Sequence, residues 1–497
     1  MSAGAAETPI ARLSRAFWML CTMEMWERLA YYGVRVVAPI YIMQADEPGG
    51  LHFSASDKAT IYAYWFVVQS ILPTFTGGLA DRYGYKNTLA FSITLKVLGY
   101  VLMATQRSFW GFFLGTMVLA AGTAQFKPGI QGSIAQHLDE KSGSKGWGIF
   151  YWLVNVGAVI GPPFAGWLHG FGWDVVFYGC AAIVSLNYLM LFTYEEKRHE
   201  KKDLRSPAKV LVDTLRDFLD WRLLTFLLLM SGFWLMMYQL WDLHPNFLTD
   251  WVYSGAIADT IPMPDAWVET KNGIVQVKQE NLLNLNAALI VLFVIPVSAL
   301  VAKMRTLSAM LGGMVVATIG IVVSGVTQIG WVFLLGVVFF SFGEMLTGPK
   351  KNQYLAAIAP ADKRGQYLGY VNIPAGLGGY VGSMLAGHLY GNYGEKATLA
   401  LRYLAENTTY LSSRGASWNG EVDTLEKAFE PFEISRSNAF DTLMVELQKS
   451  GSEATDLLWN TYQPYQVWYA FAAIGVVSIL GLFLFNRAAK RWHDLNK

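Results

Sequence analysis

The chain has 497 residues, of which 53% are hydrophobic and only 15% charged. A soluble domain carries about 25% charged residues, so much of this surface faces something other than water. The formal net charge of +1 offers no basis for a nucleic-acid partner.

The N-terminal segment, Met1 to Arg15, is short and polar. The apolar run behind it is too long for the core of a cleavable signal. Crossing about 30 Å of hydrocarbon takes about 20 apolar residues as helix, and roughly twelve such runs are present. The first six lie near 16–43, 58–80, 87–105, 109–135, 146–169 and 173–193. The second six lie near 222–249, 282–302, 308–328, 331–357, 365–390 and 464–487. Between them, Tyr194 to Arg222 is rich in charge, with Glu195-Glu196-Lys197-Arg198 and Lys201-Lys202. The predicted fold is therefore an all-α polytopic membrane protein of twelve transmembrane helices in two six-helix bundles. One bundle spans 16–193, a linker covers 194–221, and the second bundle is 222–390 with 464–488. Cys21 and Cys180 fall in separate apolar runs and read as small buried hydrophobes rather than a disulfide.

Lysine and arginine gather in alternate short loops: Arg82 and Lys86, Lys141 and Lys145, Lys303 and Arg305, and Lys350 to Arg364. The positive-inside rule then puts both termini and the linker in the cytoplasm, with the protein in the inner or plasma membrane. Two outer loops are long. Residues 250–281 contain two β-rich runs around Asn272-Gly273, a hairpin signal. Residues 391–463 hold runs of helical periodicity at Lys396–Glu406, Val422–Phe429 and Ala439–Lys449, and read as a small extracytoplasmic helical insertion.

Ionisable residues inside a span cost several kcal/mol unless they face a cavity or a partner. Span 1 carries Glu24, Glu27, Arg28 and Arg35, and at helical spacing these share one face with Tyr31. Four charges and a hydroxyl on one stripe read as a cavity wall. Span 4 carries Lys127 just before Pro128-Gly129, where a helix can bend. Span 10 carries Glu344, and span 7 carries Asp242 near its outer end. Asn155 and Asn286 add amides that both donate and accept. Tyr62 stands in span 2. No nucleophile triad, phosphate loop or metal-spaced His/Cys cluster is present, so neither an enzyme nor a cofactor is expected.

The loop Gly77-Gly78-Leu79-Ala80-Asp81-Arg82-Tyr83-Gly84-Tyr85-Lys86 resembles the loop 2–3 signature of the major facilitator superfamily. That resemblance implies a gating role for Asp81 and Arg82. Glu24-Met25-Trp26-Glu27-Arg28-Leu29-Ala30-Tyr31-Tyr32-Gly33 resembles the span 1 motif of the proton-dependent oligopeptide transporters. Phe126-Lys127-Pro128, Phe150 to Gly157, Leu285-Asn286 and Gly343-Glu344 are similar to motifs of that family in spans 4, 5, 8 and 10. The resemblance implies proton-coupled import of di- and tripeptides. Arg35 and Lys127 would bind the peptide carboxylate, and Glu344, Asn155 and Asn286 would face its amino end. Glu24, Glu27 and Arg28 would handle the proton, with Tyr31 and Tyr62 lining the cavity. Tyr238 stands where many members have a span 7 acid, and Asp242, one turn later, is expected to substitute as a gate. The expected partners are a small peptide, protons and the lipid bilayer, and the working unit a monomer. Gly157-x-x-x-Gly161-Pro162 partly resembles an antiporter motif, which keeps drug or metabolite efflux as the alternative. A receptor or enzyme built on the outer loop is the remaining class.

Overall fold

The computed structural model describes residues 13–138, 143–196, 216–359 and 369–489, with Lys209, Val212 and Tyr367; the side chains of 75–79, 81 and 143–145 are not described. Most of the 194–221 linker, with Lys141, Lys363 and Arg364, lies outside these residues.

Long apolar runs become long helices because hydrocarbon offers no partner for a free backbone N–H or C=O. The first half of the chain supplies α1 (Arg15–Met43), α2 (Ala55–Tyr83), α3 (Tyr85–Thr105), α4 (Phe109–Ala135), α5 (Gly143–His169) and α6 (Trp173–Thr193). The second half supplies α7 (Trp221–Met237), α8 (Leu285–Val301), α9 (Thr306–Gly325), α10 (Gly330–Ile358) and α11 (Ile373–Tyr393). Then come α12 (Lys396–Asn407), α13 (Arg436–Leu447), α14 (Gly451–Tyr462) and α15 (Val467–Ala489). Among the described residues, nine helices are long and apolar enough to cross a membrane. α1, α2 and α11 match them in length, and α1 stands apart through its internal charges. Large apolar side chains point outward: Leu292, Ile295 and Leu300 of α8 are 67%, 70% and 73% exposed. That surface suits lipid and not water.

Span 7 departs from the continuous helix expected over 222–249. It breaks into α7, a four-residue helix at Gln239–Asp242 and a helix at His244–Trp251. Pro245 has no N–H to offer the carbonyl of Trp241, so the ladder stops there. Span 8 likewise starts early, with a short helix at Gln279–Leu283 before α8. α4, by contrast, runs unbroken through Pro128.

The hairpin forms as expected, with Val268–Lys271 paired antiparallel to Ile274–Val277. Asn272 and Gly273 both take positive φ, 51° and 76°, the geometry of a two-residue primed turn. The 391–463 insertion folds as α12, a short helix at Leu425–Phe429, α13 and α14 around buried Leu399, Leu404, Phe429, Leu443 and Leu458. α14 begins with a capping box, Ser450 with Glu453, a start signal legible in the sequence but not anticipated above.

The chain forms two compact units. Unit 1 runs to Val34 and includes Trp65–Leu168 and Asp174–Thr225. Unit 2 contains Arg35–Tyr64, His169–Trp173 and the chain from Phe226 onward. α1 and α2 therefore each contribute to both.

Candidate substrate and coupling sites

In unit 1, Glu24, Glu27, Arg28 and Tyr31 follow the i, i+3, i+4, i+7 spacing of one helix face. All four are buried. Arg28 Nε lies 2.8 Å from Glu24 Oε1 and 2.8 Å from Glu27 Oε2. The other oxygen of Glu27 ion-pairs with Lys96 of α3. Lys96 is completely buried and also donates to Thr123 Oγ1 at 3.1 Å. Glu24 Oε2 is buried and accepts no hydrogen bond among the described residues. The Tyr31 hydroxyl donates to Gln69 at 2.8 Å.

Two acids and two bases thus balance. Lys127, half-buried on α4 one turn beyond Thr123, adds a cation to this side. Glycines let the cluster close. A Cβ on Gly157 of α5 would collide with the Met25 carbonyl, and one on Gly161 with that of Leu29. The small face of α5 therefore lies directly against the charged stretch of α1. A Cβ on Gly122 of α4 would come within 2.7 Å of the Lys96 side-chain stem. Asn155 bonds one turn back to the Tyr151 carbonyl at 2.8 Å and is held to none of the other predicted site residues by a hydrogen bond described here.

In unit 2, the Arg35 guanidinium lies 4.1 Å from the centre of the Tyr62 ring, whose hydroxyl donates to the Arg35 carbonyl at 3.2 Å. Tyr62 is fully buried and packs against Arg35. Asn286 donates to Glu344 Oε2 and to Ser341 Oγ, both at 3.1 Å, which brings together two residues singled out from different spans. Asp242 is fully buried and ion-paired with Lys58 of α2, and Ser383 of α11 donates to its second oxygen. Arg82 is exposed beside the Tyr83 ring, and the Asp81 side chain lies outside the described residues.

Lys96 and Lys58 were missed from sequence. Lys96 interrupts the apolar run of span 3 at Leu95-Lys96-Val97, which was the available signal. Lys58 stands four residues into α2 and reads as an ordinary span boundary. Cys21 and Cys180 are both free and buried, as expected. Among the described residues no group of three His, Cys, Asp or Glu could hold a metal ion.

The description "Major Facilitator Superfamily" matches this chain over residues 27–383. The chain is 30% identical over 193 residues to the uncharacterized transporter YclF of Bacillus subtilis (strain 168), covering 37% of this chain and 38% of that protein. It is 29% identical over 232 residues to a di-/tripeptide transporter of Lactococcus lactis subsp. cremoris, covering 45% and 46%. It is 23% identical over 330 residues to the multidrug resistance protein MdtH of Yersinia pestis (strain Pestoides F), covering 65% and 75%. The chain thus spans under half the length of the first two relatives. Among solved structures, the nucleoside transporter NupG matches with a TM-score of 0.65 at 12% identity, covering 95% of this chain and 99% of that one. A POT family transporter in complex with 5-aminolevulinic acid matches with a TM-score of 0.62 at 14% identity, covering 97% of each. At these identities the likeness is one of fold. The chain belongs to the Major Facilitator Superfamily: it is an integral membrane protein, similar in motifs and fold to the proton-dependent oligopeptide transporters.

Proposed function

We propose that this protein is a proton-coupled symporter that imports di- and tripeptides by alternating access of its two six-helix halves, with both termini in the cytoplasm. The observation that carries this reading is the buried charge balance around Glu27. Closing a dry cavity around net charge is costly. With both acids ionised, Glu24, Glu27, Arg28 and Lys96 cancel. A proton on Glu27 would strand fully buried Lys96. A proton on Glu24 leaves both cations beside Glu27, so Glu24 is the acid that takes it. The cluster then carries one excess positive charge, and Lys127 adds another nearby. A substrate carboxylate offsets that excess, which couples proton and peptide. Arg35 serves the same carboxylate, and Glu344 with Asn286 faces the peptide amine. Lys58 with Asp242 forms the gate that Asp242 alone was expected to form, and Asp81 with Arg82 the gate on the other side.

Purified protein in liposomes with an inward proton gradient should accumulate dialanine. Glu24→Gln should cut that accumulation more than tenfold while sparing counterflow exchange. Undiminished pH-driven uptake by Glu24→Gln would remove Glu24 from the coupling. A second reading, proton-coupled drug efflux, is favoured by the alignment to MdtH over 75% of that protein. A cationic drug that drives proton leak from the same liposomes, with no dialanine uptake, would establish it instead.

A further inference from the structure

The insertion after α11 builds a second polar cavity, separate from the buried clusters above. It has a volume of about 310 Å³ and is enclosed by the loop after α1, the hairpin tip, the start of α12 and one face of α13. That volume falls at the lower end of ligand pockets, about 300 Å³, and holds roughly ten waters. Its walls carry both signs of charge, but most of these charges are already committed. Arg436 is held by Glu395 at 2.6 Å and by the carbonyls of His52 and Phe53. Lys271 pairs with Glu47 at 3.0 Å and with Asp46 at 3.8 Å, and Asp46 also accepts from Gln44 at 3.0 Å. Asp250 accepts from Gln44 at 2.8 Å and from Tyr390.

Two charges remain. The Lys396 ammonium has no ion-pair partner among the described residues and lies 4.7 Å from the centre of the Phe440 ring and 5.6 Å from that of Trp251. Asp441 lines the rim of the cavity with its carboxylate exposed and likewise unpaired among the described residues. Phe440, which precedes Asp441 on α13, lines the same cavity as both. Burial lowers the proton affinity of Lys396, partly offset by Asp250 and Asp46, so the group gains from an added anion.

We infer that this cavity is a second binding site for a small zwitterionic peptide, whose carboxylate meets Lys396, whose amine meets Asp441 and whose side chain lies on Phe440. It rests on the peptide-transport reading for its ligand and adds a capture step at the insertion. Unpaired groups of opposite sign beside one aromatic ring suit a ligand whose two charges are separated, and a cation alone would meet Lys396 unfavourably.

The test is equilibrium binding of radiolabelled dialanine to the purified full-length chain, with liposome uptake in parallel. Two dialanines should bind per wild-type chain, and one per chain in Lys396→Met and in Asp441→Asn. The uptake KM should rise about tenfold in each, as for loss of one charged contact of about 1.4 kcal/mol. Ser437→Trp, which fills the cavity from α13 without touching either charge, should also leave one bound. N-acetyl-dialanine, which has no ammonium, should bind alike to wild type and Asp441→Asn. A single dialanine on the wild-type chain, or variants that keep two, overturns the site while leaving the transport reading standing. Two bound dialanines without pH-driven accumulation uphold the site and overturn the transport reading. No bound dialanine overturns both.

Discussion

Lys96 changes the arithmetic of the α1 motif. Glu24, Glu27 and Arg28 taken alone carry an excess negative charge, and the sequence offers Arg35 as the second base on their face. A lysine 69 residues away, on α3, cancels it. Removing one partner of a buried pair leaves the other uncompensated, typically at 3–5 kcal/mol. Glu27→Gln should therefore lose about 3–5 kcal/mol of stability and show poor yield of folded protein. The double variant Glu27→Gln with Lys96→Met should recover most of it. Thermal unfolding in detergent checks this, and a single variant as stable as wild type would mean the pair contributes nothing. The α1 acids were legible because helical spacing placed them on one face. Lys96 was not, because partnership across 69 residues is a property of packing.

At the scale of elements, α5 and α1 pack through glycines. Gly157 and Gly161 were read as a weak antiporter-like signal, yet in the structure they give the backbone of α5 room beside Met25 and Leu29. Gly157→Val should cost at least about 1–3 kcal/mol through overpacking and displace the acids of α1, lowering uptake along with stability. Gly148 lies on the same helix with nothing within 4 Å of its position for a Cβ. Gly148→Ala should stay within about 0.5 kcal/mol of wild type. Equal losses in the two variants would show that helix propensity, and not contact, sets the effect. The broken span 7 belongs to this scale too. Hydropathy reads His244 and Pro245 as part of one run, and only the missing N–H of Pro245 reveals the break.

For the whole molecule, unit 2 gathers the end of α1, the start of α2, the hairpin and the insertion around Asp250. Burial pushes the Asp250 carboxyl up to about 6 from 3.8, against the pull of Lys396 and of hydrogen bonds from Tyr390 and Gln44. A carboxyl raised in the folded state binds its proton more tightly there than in the unfolded chain. Its contribution to stability is therefore full below pH 3.8 and lost as pH rises through about 6. That rise corresponds to at most about 3 kcal/mol. Asp250→Asn keeps one acceptor oxygen without the charge. The melting temperature of wild type relative to Asp250→Asn should fall between pH 4 and pH 7, and a flat difference across that range would refute the assignment.

The sequence by itself determined the class of this protein. Apolar runs of span length, the alternation of basic loops and the internal charges of span 1 are local properties, and the physics of hydrocarbon makes them decisive. The hairpin at Asn272-Gly273 and three of the helical runs in the insertion were likewise local. Tertiary structure decided which charges cancel, which remain unpaired and where cavities form. Lys96 beside Glu27, Lys58 beside Asp242, and the pocket between Lys396 and Asp441 each join residues distant along the chain or settle which nearby charges are left over. Coulomb interactions act through space, so no periodicity in the chain announces them.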